Sequence, residues 1–311
     1  MAWSTSVVRL TPAKSDGATR WRLGVGVELL LVASSGLGWL ALELRAARVS
    51  GGFRTKRQPA GTWSRRGSNE ASLWSVDSGL VIGQPGRVDR LLLTSAGVRN
   101  ATIHDALLDL LGRPIEDCTA LCIPTAMYGH PHAGPGEAVW EFVAGRSEQP
   151  MAELGWKSVG LIELTALPSI DEERWVPLVR KADVLLVSGG DALYLCHWMR
   201  ESGLTDLLPS LDDTVWIGMS AGSMVMTPRI GKEFVGWRPP AGDDRALGLV
   251  DFSIYPHLDH ESLPENTLAN AKTWAAALDC PAYAIDDETA LRVVGDAVDV
   301  VSEGQWHRFD A

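Results

Sequence analysis

The run Thr214-Val-Trp-Ile-Gly218-Met219-Ser220-Ala221-Gly222-Ser223 decides how this chain is read. Its first half is a short apolar run, the pattern of a strand buried on both faces. Its second half is G-x-S-x-G, which directly after a strand predicts a sharp strand-to-helix turn. Glycines at 218 and 222 let the chain turn tightly and let the next helix pack close. The Ser220 hydroxyl then projects at the carboxyl edge of a sheet, and the Ala221 N–H can face a developing oxyanion. A helix N-terminus at this point adds a favourable field for negative charge. The plainer alternative is that Ser220 merely caps a helix.

Similar apolar runs lie on the N-terminal side: Arg90–Thr94, Ala120–Pro124, Lys157–Leu164 and Asp183–Val187. Helical spacing fills Ile103–Leu111, Asp171–Lys181 and Ala192–Glu201, and returns from Leu263 to Leu278. Apolar runs alternating with helices predict a three-layer α/β domain with a mostly parallel sheet covered on both faces. Ala282–Ile285, Ala290–Val294 and Ala297–Val301 read as short antiparallel strands at the edge of that sheet.

The charge distribution sets a boundary. Residues 1–88 hold 12 Lys+Arg against 5 Asp+Glu, whereas residues 89–311 hold 16 against 34. The first part is rich in Ser, Gly and Arg and lacks a sustained period outside one apolar stretch, Leu23 to Leu42. It is expected to be a poorly ordered extension, or one that is not truly translated. The apolar stretch has the length of a membrane span but contains Glu28, four Gly and two Ser, so anchoring is not favoured. Residues 89–311 are then the catalytic domain, and a cytoplasmic protein is expected. A net charge of −11 disfavours nucleic acid and anionic membrane surfaces as partners. Four cysteines make no disulfide framework; Cys118 and Cys122 bracket a buried strand and read as core thiols.

A serine nucleophile needs a base. His257 follows the apolar run Leu249–Tyr255 and so stands at a strand end, where open α/β sheets bind ligands; His260 is three residues on. Gly189-Gly190-Asp191 follows the strand before the elbow, and one of its N–H groups could complete an oxyanion hole. His130-Pro-His132 and His257-x-x-His260 have no zinc-like spacing, so no metal is expected, nor any cofactor.

Ser188-Gly-Gly-Asp-Ala-Leu-Tyr194, then Ile217-Gly-Met-Ser-Ala-Gly-Ser223, then Pro256-His257 resembles the S51 serine peptidases, which include aspartyl dipeptidases (peptidase E) and cyanophycinases. The resemblance covers residues 89 to about 302 and leaves out 1–88. It implies a flavodoxin-like fold similar to class I glutamine amidotransferases, with Ser in place of their Cys. It makes Ser220 the nucleophile and His257, 37 residues on, the base. The oxyanion donors map to Gly190 and Ala221, and Gly189 and Asp191 to the substrate end. The third member is an acidic residue between Ser and His. Position 235, where the dipeptidases carry it, is Val; the nearest carboxylate is Glu233, with Asp243 and Asp244 further on, and Glu233 is the expected choice. The implied activity is hydrolysis of short peptides, among them dipeptides with N-terminal Asp, through an acyl-enzyme. An α/β-hydrolase esterase and a non-catalytic binding domain of the same fold are the two rival readings.

Overall fold

The computed structural model describes the backbone of 12–15, 18–23 and 27–32, and residues 89–130, 136–239 and 242–310. The chain divides into two units, Met1–Asp77 and Ser78–Ala311.

In the first unit β1 (Pro12–Ser15), β2 (Ala18–Leu23) and β3 (Val27–Val32) form an antiparallel sheet, with Ala18 opposite Val32 and Pro12 opposite Trp21. Val27-Glu-Leu-Leu-Leu-Val32 is short enough to be a strand, and periodicity alone cannot distinguish such a run from a piece of helix. The rest of the apolar stretch lies outside the described residues. Among the described residues no helix is long and apolar enough to cross a membrane.

The second unit begins with β4 (Arg90–Thr94) and α1 (Ala101–Leu111). Asn100 caps α1 by accepting from the Ile103 N–H, and Gly112 ends it in the left-handed conformation. There follow β5 (Thr119–Ile123), α2 (Thr125–Gly129), α3 (Glu137–Val143) and β6 (Ser158–Leu161). Then come α4 (Glu172–Arg180), β7 (Val184–Val187), α5 (Ala192–Glu201) and α6 (Leu204–Leu207). The elbow run supplies β8 (Val215–Met219) and α7 (Ala221–Met224). The last part holds β9 (Ser253–Tyr255), α8 (Leu268–Ala275), β10 (Ala282–Ile285), β11 (Thr289–Val294), β12 (Ala297–Ser302) and β13 (Trp306–Phe309).

Seven strands form the central sheet in the order β12-β11-β4-β8-β7-β5-β6. β4, β8, β7, β5 and β6 run parallel, and β11 and β12 add an antiparallel edge beside β4. Alternation along the central strands divides the core in two. Leu91, Leu93, Leu185, Val187 and Trp216 point into one hydrophobic cluster; Leu92, Val184, Leu186, Val215 and Ile217 point into the other. Every residue of β7 and β8 is buried, the signature of a sheet covered on both faces.

One element is placed differently from the expectation. β10 is not an edge strand of the central sheet. It is the middle of a separate three-stranded sheet, β13-β10-β9, parallel to β9 and antiparallel to β13. Its small alanines pack with Tyr255 and Trp274 in a third, smaller cluster. This second sheet carries half of the candidate site.

Candidate active site

Ser220 sits between β8 and α7 with φ +49°, ψ −108°. That is outside the regions ordinary L-residues occupy, so the surrounding structure must impose it. Neighbouring backbone does so. The Ser220 N–H donates to the Thr94 carbonyl at 3.0 Å, and the Ser223 hydroxyl donates to the same oxygen at 2.8 Å. The Thr94 hydroxyl donates to the Gly218 carbonyl at 2.8 Å, tying β4 to the elbow. Below, the Trp216 indole donates to the Gly222 carbonyl at 2.9 Å. A Cβ on Gly218 would collide with the Gly222 carbonyl, and one on Gly222 with the Val187 carbonyl. Both glycines are therefore required by close backbone approach. The helix behind the elbow is one turn long, so the expected helix field reduces to the local N–H groups of that turn.

Ser220 lines a cavity of about 580 Å³ together with Gly189, Gly190 and His257. Gly190 has φ +134° and presses on the Ala126 carbonyl, where a side chain has no room. Among the described residues, the Gly190 and Ala221 N–H groups donate to no other group.

His257 also has a left-handed backbone, φ +57°. It follows β9, and its N–H donates to the Ser95 hydroxyl at 2.7 Å. Its Nδ1 lies 2.7 Å from Asp287 Oδ1. Asp287 follows β10, the parallel neighbour of β9, so adjacent strand ends deliver the two groups side by side. The Ser95 hydroxyl donates to Asp287 Oδ1 at 3.0 Å, and His260 Nε2 stands 3.5 Å from Asp287 Oδ2. The His257 and Asp287 side chains are only 18% and 16% exposed. Burial alone would raise the Asp287 carboxyl; the hydrogen bond and charge of His257, then Ser95 and His260, outweigh it and hold the group below its ordinary value.

The carboxylate on His257 is thus Asp287, and the expectation of Glu233 is corrected. Glu233 lies on a 3-10 turn, Lys232–Phe234, exposed at the cavity and bonded to no imidazole among the described residues. Its charge is felt across the cavity wall: burial first, then Glu233, pushes the Tyr255 hydroxyl up. Asp243 and Asp244 serve elsewhere. Asp244 binds the Arg229 guanidinium at 3.0 Å and accepts from the Gly231 N–H. Asp191, expected at the substrate end, is 5% exposed and turned inward. Its Oδ1 caps α5 by accepting from the Leu193 and Tyr194 N–H groups, and its Oδ2 accepts from the Trp237 N–H. Ser95 was absent from the expected site because Ser95-Ala-Gly97 reads as a turn.

The described architecture is a mostly parallel α/β sheet with a strained serine at a strand-to-helix elbow and, lining the same cavity, a histidine held from behind by a carboxylate. The chain matches the description "Peptidase family S51" over residues 91–301, and it belongs to that family of serine-type peptidases. Among solved structures it is similar to a protein named as a candidate peptidase E from Listeria monocytogenes EGD-e, at 20% identity and TM-score 0.52, covering 70% of this chain and 99% of that one. A peptidase from an acI-B1 Actinobacterium is similar at 18% identity and TM-score 0.48, covering 73% and 99%. No curated protein matches the chain.

Proposed function

We propose that this chain is a serine peptidase that hydrolyses short peptides through an acyl-enzyme, with Ser220, His257 and Asp287 as its catalytic triad. One observation carries the reading: His257 faces the Ser220 cavity while its Nδ1 is held by a half-buried carboxylate at 2.7 Å. An ionised Asp287 is acceptor-only, so the proton between them belongs to Nδ1 and leaves Nε2 with its lone pair. Nε2 takes the Ser220 proton as Oγ attacks the scissile carbonyl, and Asp287 stabilises the imidazolium that forms. The N–H groups of Gly190 and Ala221 receive the oxyanion, each such donor being worth about 3–4 kcal/mol in related chemistry. His257 then protonates the leaving amine, and water releases the acyl group by the reverse path. Ser95 and His260 position Asp287 and touch no reacting atom.

The chain order Ser220…His257…Asp287 speaks against the esterase reading, because α/β-hydrolases place the acid before the histidine. The pairing of His257 with Asp287 beside the cavity that Ser220 lines supports a catalytic reading over a non-catalytic one. The test is a fluorophosphonate probe followed by peptide mapping. Labelling confined to Ser220, with a matching loss of peptide hydrolysis, is expected; hydrolysis that survives full labelling would remove the mechanism. The N-terminal Asp preference implied by the resemblance depends on what else lines the cavity.

A further inference from the structure

A peptidase that prefers N-terminal Asp gains most by answering the side-chain carboxylate with a cation. Among the described residues lining this cavity none is Lys or Arg. The walls combine apolar Met127, Met219, Met224, Phe234 and Leu263 with polar His130, Gln149 and Asn266, and the one carboxylate among the described lining residues is Glu233. No Lys, Arg or His forms an ion pair with Glu233 among the described residues.

Glu233 is also held in place. Its 3-10 turn is fixed on one side by the Trp274 indole donating to the Ile230 carbonyl at 2.9 Å and by Asp244 accepting from the Gly231 N–H at 3.1 Å. On the other side the Trp237 N–H is bound by Asp191, the residue that follows Gly190. Phe234 packs edge-on against Tyr255 at 5.0 Å and Trp274 at 6.2 Å. The turn that presents Glu233 is thereby braced to the loop that presents the candidate oxyanion donor. A carboxylate on a braced turn beside a largely apolar wall fits a cation, and the cation every unblocked peptide carries is its terminal ammonium.

We propose that Glu233 anchors the free amino terminus of the substrate, and that the preferred substrates are short peptides with an apolar first side chain rather than Asp. The inference rests on the serine peptidase reading above. The bond cut is the amide C–N, water giving its hydroxyl to the acyl carbon and its hydrogen to the released amine. An N-terminal Asp would bring a second carboxylate into a cavity that already holds Glu233, and like charges at that range repel. N-acetylation would remove the charge that Glu233 reads.

The full chain is incubated with Leu-Leu-Gly, Asp-Leu-Gly and N-acetyl-Leu-Leu-Gly, and loss of intact peptide is followed, whichever bond is cut. Fluorophosphonate labelling runs in parallel. Leu-Leu-Gly is expected to exceed both others in kcat/KM by about tenfold or more. Glu233→Gln should raise KM for Leu-Leu-Gly about tenfold with kcat changed less, because the anchor holds ground state and transition state alike. Glu233→Arg should move the preference toward Asp-Leu-Gly. A labelled enzyme that prefers Asp-Leu-Gly, cuts the acetylated peptide equally well, cuts none of the three, or keeps its KM in Glu233→Gln overturns this inference alone. A chain that neither labels nor cuts overturns the proposed function, and this inference with it. The wild-type preference decides the matter even if a variant folds poorly.

Discussion

The two halves of the candidate site are built by opposite means. The elbow is local: Gly218, Ser220 and Gly222 lie within five residues, and the strain is enforced by backbone a few ångströms away. The base arm is assembled at long range, from Ser95, His257 and Asp287, and these come from the ends of β4, β9 and β10 in two different sheets. A local device is fixed as soon as its strand and turn form. A long-range one exists only when both sheets are in register with each other.

The comparison is attacked most directly by Ser220→Ala. Removal of the nucleophile should lower kcat about 10⁴-fold or more, while the melting temperature stays near that of the wild type. Purified protein assayed for turnover and followed by circular dichroism would check both halves of the statement. Asp287→Asn comes next. It keeps the shape of the arm but favours the wrong imidazole tautomer, and a loss of about 10³–10⁴-fold in kcat is expected. The same assay on Glu233→Gln separates the two carboxylates, since a loss in kcat that large at Glu233 and a mild one at Asp287 would reverse their assigned places.

Ser95→Ala sharpens the long-range claim. It deletes one hydrogen bond to Asp287 and the acceptor for the His257 N–H, so about a tenfold fall in kcat is expected, equivalent to about 1.4 kcal/mol. An unchanged kcat would mean that β4 does not position the arm.

Acid titration probes the same arm. The Asp287 carboxyl is lowered in the folded chain relative to about 3.9 when unfolded, so the unfolded state binds the proton first. Its contribution to stability is therefore full above about pH 4–5 and is lost only as pH falls through the lower folded value. The stability difference between wild type and Asp287→Asn, read by chemical denaturation, should shrink as pH falls below about 4.

The smallest effect is expected from a chain that starts at Gly86. Every described residue lining the cavity lies within Ser78–Ala311, so turnover should match that of the full chain. A truncated protein that melts several degrees lower would show that the first unit supports one of the two arms.

What the sequence disclosed follows the same division. The parallel strands were legible because strands buried on both faces must be apolar throughout, as Val184–Val187 and Val215–Met219 are. The elbow was legible because its constraints are neighbours in the chain. Asp287 was not, since Asp286-Asp287-Glu288 reads as a polar turn and nothing local separates its three carboxylates. A usable signal was nonetheless present. Asp287 follows the apolar run Ala282–Ile285 as His257 follows Ile254-Tyr255, and Ser95 follows Leu91–Thr94. The strand-end rule that found His257 finds all three when applied to every strand. The second sheet escaped because β9, β10 and β13 are three or four residues long, and β13 alternates as Trp-His-Arg-Phe.

The glycines of the elbow also bear on how this chain can change over generations. At Gly218 and Gly222 the atoms in the way of a side chain are main-chain carbonyls, and main-chain atoms are the same whatever residue supplies them. No second substitution elsewhere can therefore clear the space, and a lesion at either position should have no intragenic suppressor. At Gly160 the obstacle is the Leu121 Cδ2 at 2.6 Å, the tip of a side chain. There the Leu121 side chain can turn aside, or a shorter residue at 121 can restore the room, so Gly160→Ala should be mild alone and milder still beside a shorter residue at 121. The elbow admits one solution in every background, while the edge of the same sheet can drift.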